Sequence, residues 1–257
     1  MISMDARELK SFLDLKVEQY NRIEFIKDDP ISIPHQFEEK QDIEISAFLI
    51  ATISWGNRKS ILNSGKKLLQ IMGNAPYDFV INHEEADLDK CEGFVHRTFN
   101  EEDLKYFFFA LKQIYKYYDS LESCFLDKYS IKDLQKGIHH FKTEFLSFGA
   151  PKRTAKHISD PHKNSAAKRL NMMLRWFVRQ DQKGVDFGIW PQISPADLSC
   201  PLDVHSGRVA RKLGLLQRKQ NDAKAVLELD TCLRALDKQD PVKYDFALFG
   251  LGVYEGF

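Results

Sequence analysis

Lys168 and Asp203 carry the chemistry this sequence offers most openly. An amine and a carboxylate stand 35 residues apart, each near the start of a segment with helical periodicity. In KNSAAKRLNMMLRWFVR (163–179), Leu170, Met173, Leu174, Phe177 and Val178 recur at helical spacing, while Arg169, Arg175 and Arg179 crowd the rest of the surface. In SCPLDVHSGRVARKLGLL (199–216), Asp203 sits where a helix is about to begin. Val209 and Leu213 supply the apolar stripe there, and Gly214 is a stop signal. A neutral lysine amine is a nucleophile for an electron-poor carbon, and a carboxylate beside it stabilises positive charge that develops there. Taken singly, each residue also has a structural reading: a lysine in a basic helix is commonly solvated, and an aspartate before a helix commonly caps it.

The local charge distribution fits a bound polyanion at this segment. The formal net charge is zero, so global charge selects no partner. Between Pro151 and Gly184, however, nine Lys/Arg face only Asp160 and Asp181, with His157 and His162 besides. Six more between His205 and Lys224 face only Asp222. The balancing acid clusters around Glu38–Glu44, Glu84–Asp89 and Glu101–Asp103. Solvated helix faces would give the same pattern, so the asymmetry gains meaning only beside a motif.

The elements that position these residues read as helices. Asp5–Tyr20, Asp42–Ile53, Ser60–Met72, Glu102–Tyr118 and Asn221–Leu236 have helical periodicity, and Ser120–Phe148 holds two or three short helices. Pro30–Pro34 reads as an extended connection, and Asn74–Phe99 as loop. Asp240 with Pro241 predicts an N-cap opening a last helix through Leu251. The stripe Tyr106, Phe107, Phe108, Phe109, Tyr115, Tyr117 and Tyr118 reads as core. No strand pair and no internal repeat is evident, and the class is all-α. At 257 residues with 43% hydrophobic content, one large domain or two small ones can bury a core. Cys91, Cys124, Cys200 and Cys232 have no ligand spacing and read as reduced thiols, and no metal or cofactor is expected. The apolar runs are too short to span a bilayer, which places the chain in the cytoplasm with no membrane partner.

PLDVHSGRVARKLGLL (201–216) resembles the "P-x-D-x-H-x-x-R-V-x-x-R-L-G-L" segment of the helix-hairpin-helix (HhH-GPD, endonuclease III-like) DNA glycosylases. KRLNMML (168–174) resembles the segment carrying their Schiff-base lysine, and 42–73 resembles their early helix pair. The long Lys–Asp separation looks closer to the archaeal 8-oxoguanine glycosylase branch and to bacterial relatives. The resemblance implies a two-lobed helical fold, with one lobe of about 43–183 and another of about 1–42 plus 184–257, and with Lys168 and Asp203 meeting in the cleft between them. It further implies a monomeric glycosylase and AP lyase on double-stranded DNA, excising an oxidised purine such as 8-oxoguanine. Lys168 would form the Schiff base and Asp203 would serve as its carboxylate. Lys163, Asn164, Ser165, Arg169, His205, Arg208 and Arg211 would contact DNA. His205 would orient the turn, and the two arginines of that motif read equally as surface charges. Trp55 and Trp176 would stack on the flipped base. Alternatively, Trp55 plugs a helix corner and Trp176 is core. Two departures stand out. The hairpin stretch SDPHKNSAAK lacks the superfamily's Gly-x-Gly, so Asn164 and Ser165 would have to shape an atypical hairpin. No four-cysteine cluster follows Asp203, which excludes an iron–sulfur centre. A catalytically silent DNA-binding module and a helical protein–protein adaptor are the alternatives from other functional classes.

Overall fold

A computed structural model describes residues 4–126 and 133–257. In chain order the helices are α1 (Ala6–Tyr20), α2 (Lys40–Thr52), α3 (Arg58–Ile71), α4 (Pro76–Asn82), α5 (Glu101–Tyr117), α6 (Leu121–Leu126), α7 (Leu134–Leu146), α8 (Lys168–Val178), α9 (Val204–Lys212), α10 (Ala223–Leu236) and α11 (Tyr244–Tyr254). A two-stranded antiparallel hairpin, β1 (Val95–His96) and β2 (Phe99–Asn100), is the one sheet among the described residues. The all-α class holds. No helix among the described residues is long and apolar enough to cross a membrane.

The chain divides into two compact units. The first comprises described residues through Phe25, 133–135 and 160–257, and the second 26–126 and 136–159. The division therefore falls before α8 and groups Lys168 with Asp203, whereas the resemblance implied a boundary after residue 183 with the two residues on opposite lobes.

In the first unit α11 packs between α1 and α9. Asp5 caps α1 and forms a capping box with Glu8. This helix buries Leu13 and Val17 in a core shared with Val209, Ala210, Leu229, Leu233, Tyr244, Leu248 and Leu251. α11 carries glycine at position 250 because a methyl group there would overlap the Tyr20 ring, so the absent side chain lets α11 lie close on α1. Asp240 stands at the N-cap position with Pro241 in the first turn, as expected, but its side chain makes no cap bond. Its carboxylate instead accepts Arg179 Nε (2.9 and 3.1 Å), and a short 3₁₀ turn at Pro241–Lys243 leads into α11.

In the second unit α2 is buried from Ile43 to Thr52. Buried Glu44 is satisfied by the Tyr115 hydroxyl (2.7 Å) and the Leu121 amide (2.9 Å). The α5 aromatics are core as expected at Tyr106, Phe107, Phe108 and Tyr115, with Phe48 stacked on Phe107. Phe109 and Tyr117 project outward. Two expectations change. Pro30–Pro34 winds into 3₁₀ turns, because proline presets φ at their first positions and the Asp29 carboxylate caps the first of them. The 74–99 stretch contains α4, a 3₁₀ segment and most of the β1–β2 hairpin. Within the expected helices of 120–148, residues 127–132 lie outside the described residues, and α6 and α7 flank them.

Candidate functional site

Lys168 is the first residue of α8, and its position is set by an unusual approach. Asn164 (φ 61°) and Ala167 (φ 44°) both take left-handed backbone conformations. Asn enters that region at low cost, while Ala stores strain there. The strain is held by several contacts. Ala167 N–H donates to Ser165 Oγ (3.2 Å), and buried Asn171 donates from Nδ2 to Ala166 O (3.0 Å) while accepting from Gln135 Nε2 (3.0 Å). The Lys163, Asn164 and Ser165 amides all bond back to Asp160 or Pro161 carbonyls, so they do not present a phosphate cradle. Asn164 Nδ2 donates to Asp222 Oδ2 (3.2 Å). Asn164 and Ser165 therefore shape the turn; Lys163 and Asn164 are exposed, and Ser165 is partly buried.

Asp203 is the N-cap of α9. Its Oδ1 accepts the His205 and Ser206 amides (2.8 and 2.9 Å), and its own N–H donates to Ser206 Oγ (2.9 Å). That leaves Oδ2 facing Lys168 Nζ at 3.9 Å, with side-chain exposures of 29% for the lysine and 21% for the aspartate. At 3.9 Å the contact is an ion pair too long for a hydrogen bond. The amine keeps its donors available, and both groups are reachable from solvent. A half-exposed pair of this kind adds about 0–1 kcal/mol to stability, so stability gives little reason for it.

The ground beneath this pair differs from expectation. Arg175 and Arg179 were read as surface cations, yet they are 4% and 3% exposed. Arg175 donates to Asp186 Oδ1 (3.2 Å) and Asp245 Oδ2 (2.5 Å). Arg179 donates to Asp186, Asp240 and Asp181. The Phe246 ring lies 4.3 Å from the Arg175 guanidinium carbon. Burial pushes Asp245 up to about 6. The Asp203 charge acts in the same direction, while Arg175 and Lys168 oppose it. Asp186, Asp240 and Asp245 are the residues sequence reasoning missed. Four aspartates at 181, 186, 240 and 245 flanking an arginine-rich helix were the available signal.

The remaining candidates sort as follows. Burial lowers the Arg169 guanidinium to about 10, which leaves it charged at neutral pH. His205 is exposed. Arg208 donates to Gly252 O (2.9 Å), and Arg211 donates to Arg218 O and Asn221 Oδ1 (both 2.7 Å). Trp176 is fully buried and belongs to the core, which removes it as a stacking residue. Trp55 falls in the second unit, at the corner between α2 and α3. Its partly exposed ring has His96 edge-on at 5.2 Å and His157 stacked at 6.2 Å. Burial lowers the His96 pKa, and the neutral ring bonds to Ser64 Oγ (2.9 Å) and Trp55 O (3.2 Å), which fixes the corner.

Neither a curated protein nor a solved structure matches the chain. The resemblance to helix-hairpin-helix DNA glycosylases does not extend to membership of that superfamily: the family whose profile matches is a different one and carries no glycosylase designation. That profile spans residues 29–254 and includes both Lys168 and Asp203; the chain belongs to the family described as "Protein of unknown function (DUF2400)".

Proposed function

We propose that this protein is a DNA glycosylase with AP-lyase activity, with Lys168 as the nucleophilic amine and Asp203 as the carboxylate that stabilises the cationic transition state. The observation that carries the reading is the Lys168–Asp203 juxtaposition at 3.9 Å. One carboxylate oxygen is committed to the helix cap and the other is turned toward a solvent-reachable amine.

The chemistry follows from that placement. The C1′–N bond of a damaged nucleotide breaks, its electron pair leaves with the base, and the base takes a proton from water. Positive charge spreads over C1′ and O4′, where the Asp203 carboxylate stabilises it. Lys168 Nζ gives up one proton to solvent, donates the freed pair to C1′ and then releases a second proton to solvent. The C1′–O4′ bond then opens with protonation of O4′, which leaves a C1′=Nζ iminium. Loss of a C2′ proton forms a C2′=C3′ bond and expels the 3′-phosphate. Water finally hydrolyses the imine and frees Lys168. These steps use side chains and water, and the reading places the protein on duplex DNA, as a monomer, in the cytoplasm.

Duplex oligonucleotides carrying 8-oxoguanine, uracil or a preformed abasic site test this. The wild type is expected to nick the abasic strand by β-elimination, and the base lesion it also nicks names its substrate, with 8-oxoguanine the first expected. A gel shift without nicking would replace this reading with a DNA-binding module. Absence of both would favour a protein–protein adaptor.

A further inference from the structure

Beside the lysine–aspartate pair, on the first unit, lies an open groove of about 520 Å³ lined by Val204, Arg208, Arg211, Lys219 and Asn221. Three of these five residues are cations and none is acidic. We propose that this groove binds the phosphodiester backbone of DNA, holding the strand that continues from the nucleotide at Lys168 and Asp203. The proposal rests on the reading of DNA as the substrate.

The groove is pre-shaped for an anion. Arg211 is fixed by its bonds to Arg218 O and Asn221 Oδ1, and Arg208 by its bond to Gly252 O. The floor depends on glycine at position 207. A Cβ there would meet Arg211 Nη1 and Asn221 Oδ1, each at 2.8 Å, so the missing side chain is what lets the guanidinium and the amide lie over α9. Two acids adjoin the lining residues in the chain: Asp203 caps α9 and faces Lys168, and Asp222 is paired through both of its oxygens with Arg218, which holds its carboxyl well below the usual range. Lys219 is exposed and makes no hydrogen bond or ion pair among the described residues, so its ammonium is available to a ligand.

The groove is also tied to the reacting pair. Asn221 Nδ2 donates to Asp203 O (2.7 Å), and Val204, 75% exposed at the groove's edge, directly follows Asp203 in the chain. Two anchored guanidinium groups and an available ammonium beside the reacting pair suit a polyanion that continues past the site, and guanidinium groups match phosphate oxygens in shape as well as charge.

The test is binding of a duplex carrying a tetrahydrofuran abasic analogue, which cannot form a Schiff base, measured by fluorescence anisotropy from about 50 to 300 mM KCl. Lys219→Gln is expected to lower the slope of log K against log salt by about 0.9 and to weaken binding about eightfold at 0.1 M salt. Lys238→Gln removes the same charge from an exposed position outside the groove and is expected to leave the slope unchanged. A wild-type slope in Lys219→Gln overturns the groove, as does equal loss in both variants or no duplex binding by wild type at the lowest salt. The two readings separate cleanly. A Lys219 effect without any nicking supports the groove and removes the Schiff-base chemistry, whereas nicking with an unchanged Lys219 slope does the reverse.

Discussion

Asp203→Asn is expected to leave the fold almost intact and to slow base excision by roughly 10²–10³-fold, the range for removing one electrostatic stabiliser of a transition state. The two oxygens of Asp203 have separate tasks, and this substitution divides them. Asparagine is as good an N-cap as aspartate, and its carbonyl can accept the His205 and Ser206 amides now held by Oδ1. The thermal midpoint should barely move. What is lost is the negative charge facing Lys168 Nζ. Asp203→Ala removes both tasks and should add about 1 kcal/mol of destabilisation to the same catalytic defect. Thermal unfolding and single-turnover excision on the three proteins give the comparison. Excision by Asp203→Asn within a few-fold of wild type would mean that the aspartate is a cap and nothing more.

The largest stability effect is expected at Arg175. Arg175→Leu should cost about 3–5 kcal/mol, the range for removing one partner of a buried ion pair. Asp186 would keep Arg179, but Asp245 would remain in the core without its guanidinium partner. Arg175→Lys should rescue little, because one ammonium cannot reproduce the fork that spans both aspartates. The defect should also depend on pH, and the sign is determined. Burial raises Asp245 in the folded protein to about 6 against its ordinary 3.8. Its effect on stability is therefore most favourable below pH 4 and is lost as pH rises through 6. Without Arg175 to oppose burial, that pKa rises further, so the deficit should be smaller near pH 5 than near pH 8. Urea midpoints at the two values measure it, and a loss under 1 kcal/mol at pH 8 would contradict the account.

What was legible in the sequence was local. Asp5 and Asp203 announce their helices because a short acceptor side chain before an apolar-periodic run serves the first free amides. Gly73 and Gly214 mark helix ends because each takes a positive φ there (62° and 76°). What failed was decided at a distance. Arg175 and Arg179 look like surface charges on a helical wheel, and only their pairing with Asp181, Asp186, Asp240 and Asp245 makes burial tolerable. Asp240 was drawn from capping by Arg179 in the same way. The β1–β2 hairpin is too short for alternation to register, and its turn depends on Arg97 at φ 56°. Trp176 sits on an amphipathic helix whose second face is covered as well. The segment 201–216 misled on family for a related reason: an aspartate-capped, arginine-bearing helix ending in glycine satisfies local requirements that unrelated families share.

Borohydride trapping tests the central claim most directly. Wild-type protein and Lys168→Gln are incubated with a duplex carrying an abasic site in the presence of borohydride, and the products are resolved on a denaturing gel. A covalent protein–DNA adduct in the wild type that vanishes in Lys168→Gln, with the DNA attached to the peptide containing residue 168, is the predicted result. An adduct of equal yield in Lys168→Gln, or none in a wild-type protein that binds the same duplex, would contradict it.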